Sequence, residues 1–151
     1  MSIEDTFNFR RISDRLTTSG LVNAVQLADL QGEGYQAVIN LLPDDYEHAV
    51  HEEGDLVRDQ GLDYVYIPVD FDAPTHDDFV AFSDAMRAHA DDTVHVHCAA
   101  NYRVSAFYGL YAQSQGLCTE SDADALVQEL WNPVEFPRWA EFMAAERARM
   151  T

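Results

Sequence analysis

A chain of 151 residues with 27 acidic side chains and nine basic ones carries a net charge of −18, a field that repels nucleic acid and anionic membranes and argues against polyanionic substrates. All nine basic residues are arginine. With 47% hydrophobic residues, no long apolar run and two cysteines, the sequence reads as one domain over residues 1–151, without signal peptide, membrane span or disulfide framework, and with a reducing cytoplasm as its compartment.

Along the chain, Asn23 with Gln26 opens a short helix ahead of the first buried strand, predicted at 37–42. Asp44 is the expected cap of a helix carrying Tyr46, Val50, Leu56 and Val57, stopped by Gly61. A second strand follows at 64–69. Thr75 and Asp78 form a capping box for a helix with Phe79, Phe82 and Met86 on one face. A third strand at 94–98 leads through a tight loop into a helix bearing Phe107, Leu110 and Tyr111, which Gly116 ends. Two helices, near 120–131 and 137–149, close the chain, the last with Pro137 in its first turn and Trp139, Phe142 and Met143 inward. Trp131-Asn132-Pro133 reads as packing of this tail. Strands alternating with helices predict an α/β domain of three layers around a mostly parallel sheet. Ligands collect at the carboxyl ends of such strands. There the sequence places Cys98, at the end of one strand, and Asp70, directly after another.

Residues 94–105, Val-His-Val-His-Cys-Ala-Ala-Asn-Tyr-Arg-Val-Ser, carry the most chemistry. A strand delivers Cys98 into a loop, and Arg103 follows at the start of a helix. Amides of Ala99, Ala100, Asn101, Tyr102, Arg103 and Val104 are placed to face an anion, which the helix dipole favours. Ala99 and Ala100 let the backbone approach a ligand, Asn101 tolerates a left-handed position, and Arg103 can fork onto two oxygens of a tetrahedral anion. Cys98 beneath that anion is a nucleophile for covalent chemistry on phosphorus or sulfur. Asp70 and Asp72 are the candidate general acids. His97 leaves the strand on the face opposite Val96 and is expected to hydrogen-bond the loop backbone. Tyr102, if its ring lies at the rim, can stack on an aryl substrate. His95-x-His97 and His48-x-x-His51 bring no further ligands with them, so neither a metal nor a cofactor is expected.

These residues resemble the cysteine-based tyrosine and dual-specificity phosphatase superfamily. The likeness rests on His97-Cys98, Arg103 and Ser105, the Val94-His95-Val96 strand, the upstream Ile67-Pro68-Val69-Asp70, and Ile39-Asn40-Leu41-Leu42-Pro43. It extends over most of residues 20–115 and is similar in particular to small bacterial phosphatase-like proteins with an Asn-x-Arg loop. The resemblance implies a tyrosine/dual-specificity-phosphatase-like fold and hydrolysis of a phosphorylated substrate, a protein or small molecule, through a phosphocysteine. It favours Asp70 as the acid, with Pro74 stiffening its loop, and gives Ser105 a place in phosphate binding and in thiolate departure. The chain departs from the family at one point: four residues separate Cys98 from Arg103 where the family has five, and Asn101 stands at the family's glycine. That spacing is shared by rhodanese-like sulfurtransferases, one alternative. A catalytically silent phosphate-binding module is the other.

Overall fold

The computed structural model describes residues 2–150. Five strands, β1 (Arg10–Ser13), β2 (Leu16–Ser19), β3 (Ala37–Asn40), β4 (Asp63–Tyr66) and β5 (Val94–His97), form one sheet in the order β1-β2-β5-β3-β4. Only the β1–β2 pair is antiparallel; β5 lies between β2 and β3, parallel to both. The three predicted strands are present, and their ladders continue beyond the regular pairing: Leu41 N–H donates to His97 O, and Val69 N–H to Leu41 O. β3 is buried on both faces, as a central parallel strand must be. Ala37 and Ile39 face one core with Val94, Val96 and Cys98, while Val38 faces the other with Leu27, Leu30 and Val57.

Helices cover both faces. α1 (Ala24–Ala28) and α2 (Glu53–Arg58) contribute to the smaller core. α3 (His76–Ala88), α4 (Tyr102–Ser114), α5 (Glu120–Gln128) and α6 (Pro137–Ala148) contribute to the larger one. The capping boxes at Asn23/Gln26 and Thr75/Asp78 are both formed. Gly116, at φ 74°, ends α4: its N–H donates to Gln113 O and Leu117 N–H to Ala112 O, the paired bonds of a Schellman turn.

Two expectations are corrected. The helix expected from Asp44 starts only at Glu53. Residues 43–50 instead form turns, in which Tyr46 N–H donates to Pro43 O and Ala49 N–H to Tyr46 O, while Asp44 N–H donates to the Tyr66 hydroxyl. Glu52, at φ 61°, separates these turns from α2. The second correction is the unpredicted β1–β2 hairpin. β2 is Leu-Thr-Thr-Ser, without apolar alternation, yet Thr17, Thr18 and Ser19 are buried.

Their burial is possible because the hydroxyls are partnered. The Tyr35 hydroxyl and Thr17 Oγ1 lie 2.7 Å apart, as do Thr17 Oγ1 and His95 Nδ1. Ser19 Oγ donates to Gly20 O and lies 2.8 Å from His95 Nε2. With the Ser19 proton so used, the His95 proton sits on Nε2, and Nδ1 accepts from Thr17. A neutral imidazole therefore closes the chain of bonds. Burial, with His97 beside it, holds the His95 pKa well below its ordinary 6.5. The unfolded chain takes up this proton first as the pH falls. The contribution of His95 to stability is thus complete above about pH 6.5 and is lost below it, by about 1.4 kcal/mol per pH unit. Unfolding followed from about pH 7 to about pH 5 is expected to show this loss, and His95→Gln a slope shallower by one proton.

Candidate active site

The cysteine loop is built by tying its carbonyls outward. Cys98 N–H donates to Ser19 O, the last link between β5 and β2. Ala99 O then accepts from Leu21 N–H at 3.0 Å, and Ala100 O from Asn8 Nδ2 at 2.9 Å. In a trans peptide the N–H points opposite to the C=O, so the amides of Ala100 and Asn101 are turned away from Leu21 and Asn8. Asn101 adopts the left-handed conformation, φ 67° and ψ 12°, as its residue type suggested. Its Nδ2 donates to Asn8 O and Thr18 Oγ1. Asn8 is itself left-handed, at φ 53°. The two asparagines hold each other across 93 residues. Ser105 N–H, donating to Asn101 O, is the first amide of α4 with a backbone acceptor at this end. The amides of Tyr102, Arg103 and Val104 precede it and lie at the positive end of the helix dipole.

Arg103 is nine-tenths buried. Its Nε donates to Val69 O at 2.9 Å, and its guanidinium carbon stands 5.2 Å from the centre of the Phe71 ring. That anchoring uses the Nε edge and leaves the two terminal nitrogens for a ligand. Arg103 lines a cleft of about 400 Å³ with Asp70, Phe71 and Asp72 on one side and Asp45 and Tyr46 on the other. Asp70 Oδ1 accepts from Asp72 N–H at 2.9 Å, so the two candidate acids share one turn, both exposed. Cys98 has no exposed surface; its sulfur lies under the loop in the larger core, and the cleft lies on the Arg103 side.

A second hollow of about 330 Å³, lined by residues that include His51, Glu53, Arg58 and Tyr64, contains neither Cys98 nor Arg103. Its arginine is already placed over Tyr64 and beside Asp55.

Three side chains differ from expectation. His97 does not bond the loop: its Nε2 pairs with Glu53 of α2, a carboxylate as buried as itself, and its Nδ1 is unpartnered. Ser105 is turned to the tail, because its hydroxyl donates to Tyr102 O and accepts from Trp131 Nε1, while its N–H is used in the helix. Tyr102 lies flat on Trp131, centroids 4.8 Å apart and planes 4° from parallel, so its ring has an internal partner.

Several residues that shape the site escaped sequence reasoning. Asn8 sits in Thr-Phe-Asn-Phe, which carries no motif. Gly20 has a legible reason only in three dimensions: a Cβ there would stand 2.5 Å from Ala99 O. Phe71 joins the Asp70–Asp72 turn to Tyr102, Trp131, Phe136 and Trp139, and Trp139 Nε1 donates to Phe71 O at 2.7 Å.

The five-stranded, mostly parallel sheet with helices on both faces, its strand β5 leading into Cys98, is a fold shared with solved structures. P. aeruginosa TpbA, solved in complex with pTyr, shares the fold at a TM-score of 0.71 and 18% identity, over 95% of this chain and 90% of that one. The chain belongs to the phosphatase-like domain family of beta-lactamase hydrolase-like proteins, whose model matches residues 8–117. The DUF442 protein of Shewanella putrefaciens CN-32 is 37% identical, with a TM-score of 0.88 over 98% of this chain and 96% of its own. A Beta-lactamase hydrolase-like protein of Agrobacterium fabrum is 31% identical over 117 residues, 76% of this chain and 27% of that protein. The chain thus spans about a quarter of that relative's length. Among the described residues, no helix is long and apolar enough to cross a membrane.

Proposed function

We propose that the protein is a cysteine-dependent phosphatase that hydrolyses phosphate monoesters, aryl phosphates foremost. The observation that carries this reading is Arg103: a buried cation in the first turn of α4, five residues after Cys98, fixed by its Nε edge to Val69 O so that its terminal nitrogens are left to a ligand. In the proposed reaction the phosphoryl oxygens take the two terminal nitrogens of Arg103 and the amides of Ala99 to Val104. The Cys98 thiolate attacks phosphorus, the ester P–O bond breaks, and Asp70 gives its proton to the leaving oxygen. Water then attacks the phosphocysteine, Asp70 takes a proton from it, and the S–P bond breaks to release phosphate. Val69 O, which anchors Arg103, is one residue from Asp70, so the arginine and the proposed acid are tied to the same stretch of chain. Asp72 lies two residues on and is the runner-up acid. Ser105 and His97 take no direct part, since their polar atoms are engaged elsewhere or face away from the loop. The substrate is a phosphorylated protein or small molecule.

The test is a parallel assay of an aryl phosphate and of thiosulfate with cyanide. Phosphate release with no thiocyanate supports the phosphatase. Thiocyanate alone replaces it with a sulfurtransferase, the reading that the four-residue spacing favours. Neither product, with vanadate bound between Cys98 and Arg103 in a crystal, leaves a silent anion-binding module.

The loop clamp gives a further expected result. Asn8→Gly keeps the positive φ available while deleting the amide that holds Ala100 O. Loss of one such bond, about 1 kcal/mol, is expected to weaken vanadate inhibition roughly fivefold. An unchanged inhibition constant would show that Ala100 O is held without Asn8.

A further inference from the structure

We propose that the cleft selects phosphotyrosine set among basic residues and rejects esters bearing additional anionic groups, with Asp45 and Tyr46 as the selecting edge; this rests on the phosphatase reading above.

Arg103 supplies the first observation. Six of the other eight arginines, at 10, 11, 58, 87, 147 and 149, lie within ion-pair distance of a carboxylate, and the remaining two, Arg15 and Arg138, are exposed to solvent. Arg103 forms no such pair among the described residues, although Asp45, Asp70 and Asp72 line the same cleft. A buried, unpaired cation in so acidic a chain is matched to one incoming anion. The second observation is the makeup of the remaining lining. Apart from Arg103 it holds no cation: its other residues are the three aspartates, Tyr46, Phe71 and two prolines.

One phosphoryl group therefore uses all the positive charge available. A second phosphate, or a carboxylate close to the first, would face Asp45 and Asp72 with no counter-charge, even with Asp70 protonated for its role as acid. A guanidinium or ammonium on the substrate meets the opposite situation. It can approach Asp45 and Asp72, and it finds the half-exposed Tyr46 ring at the rim, whose face attracts cations. These carboxylates are exposed, so each contact is worth only a few-fold at low salt and their sum about tenfold.

The test uses three phosphotyrosine peptides of equal length, flanked by arginine, alanine or glutamate, and compares kcat/KM at low ionic strength and at about 1 M salt, where the screening length falls to about 3 Å. The expected order is arginine, alanine, glutamate, with about tenfold between the extremes at low salt and near-equality at high salt. Asp45→Lys is expected to shrink the low-salt ratio to about twofold or less. Because that variant changes a net charge of −18 by only two units, such a collapse assigns the selection to the cleft and not to the overall field. A ratio that survives Asp45→Lys, or turnover with no ranking by charge, overturns the selecting edge while the phosphatase stands. Absence of turnover on all three peptides and on a simple aryl phosphate removes both.

Discussion

Cys98→Ser is expected to abolish aryl phosphate hydrolysis, by about 10⁴-fold or more, with thermal unfolding within a few degrees of the parent. Cys98 is fully buried among Val94, Val96 and Val104, and oxygen for sulfur barely alters that packing. What changes is the nucleophile, because a serine hydroxyl here lacks an adjacent base: His97, the neighbouring imidazole, is on the opposite face and is taken by Glu53. Phosphate release measures the loss. Mass spectrometry of acid-quenched protein checks its cause, a phosphocysteine being expected in the parent and no adduct in the variant. A serine variant as active as the parent would end the covalent mechanism.

The second large effect concerns the acid. Asp70→Asn should cut turnover by about 10²–10⁴, most on esters with poor leaving groups and least on nitrophenyl phosphate. This substitution isolates the proton, because asparagine keeps the Oδ1 that accepts from Asp72 N–H and so preserves the turn. Asp72→Asn should change turnover only a few-fold. Should the leaving-group dependence follow Asp72 instead, the role of acid moves two residues along the chain.

The parts of this protein that were legible in its sequence obey local rules. Three of the four parallel strands, β3, β4 and β5, announce themselves as apolar runs. Thr75 with Asp78 and Asn23 with Gln26 cap their helices by side chains three residues apart, and Gly116 and Asn101 mark positions where the backbone turns left-handed. The placement of Cys98, Arg103 and Asp70 at the carboxyl ends of strands follows from the alternation of elements. What escaped was non-local. Thr17, Thr18 and Ser19 look like a solvated stretch until Tyr35, His95 and Asn101 arrive to satisfy their hydroxyls. His97 has no sequence neighbour that points to Glu53, 44 residues earlier. No helix starts at Asp44 because its apolar spacing spans a segment that the fold uses as one lip of the cleft, with Tyr66 holding the Asp44 amide. Ser105 fits a motif position yet serves the tail, since the indole of Trp131 is a buried donor that needs an acceptor.

The aromatic seat of Phe71 bears on how the protein can be cut and recombined. The family match stops at residue 117, but Trp131, Phe136 and Trp139, which surround the segment bearing Asp70, all lie beyond that point. A fragment ending at the edge of the match would keep every residue of the cysteine loop and lose the rings against which Phe71 rests, together with the indole that holds its carbonyl. Fusions or domain exchanges between members of this family therefore need their junction after α6, so that loop and tail are inherited as one unit.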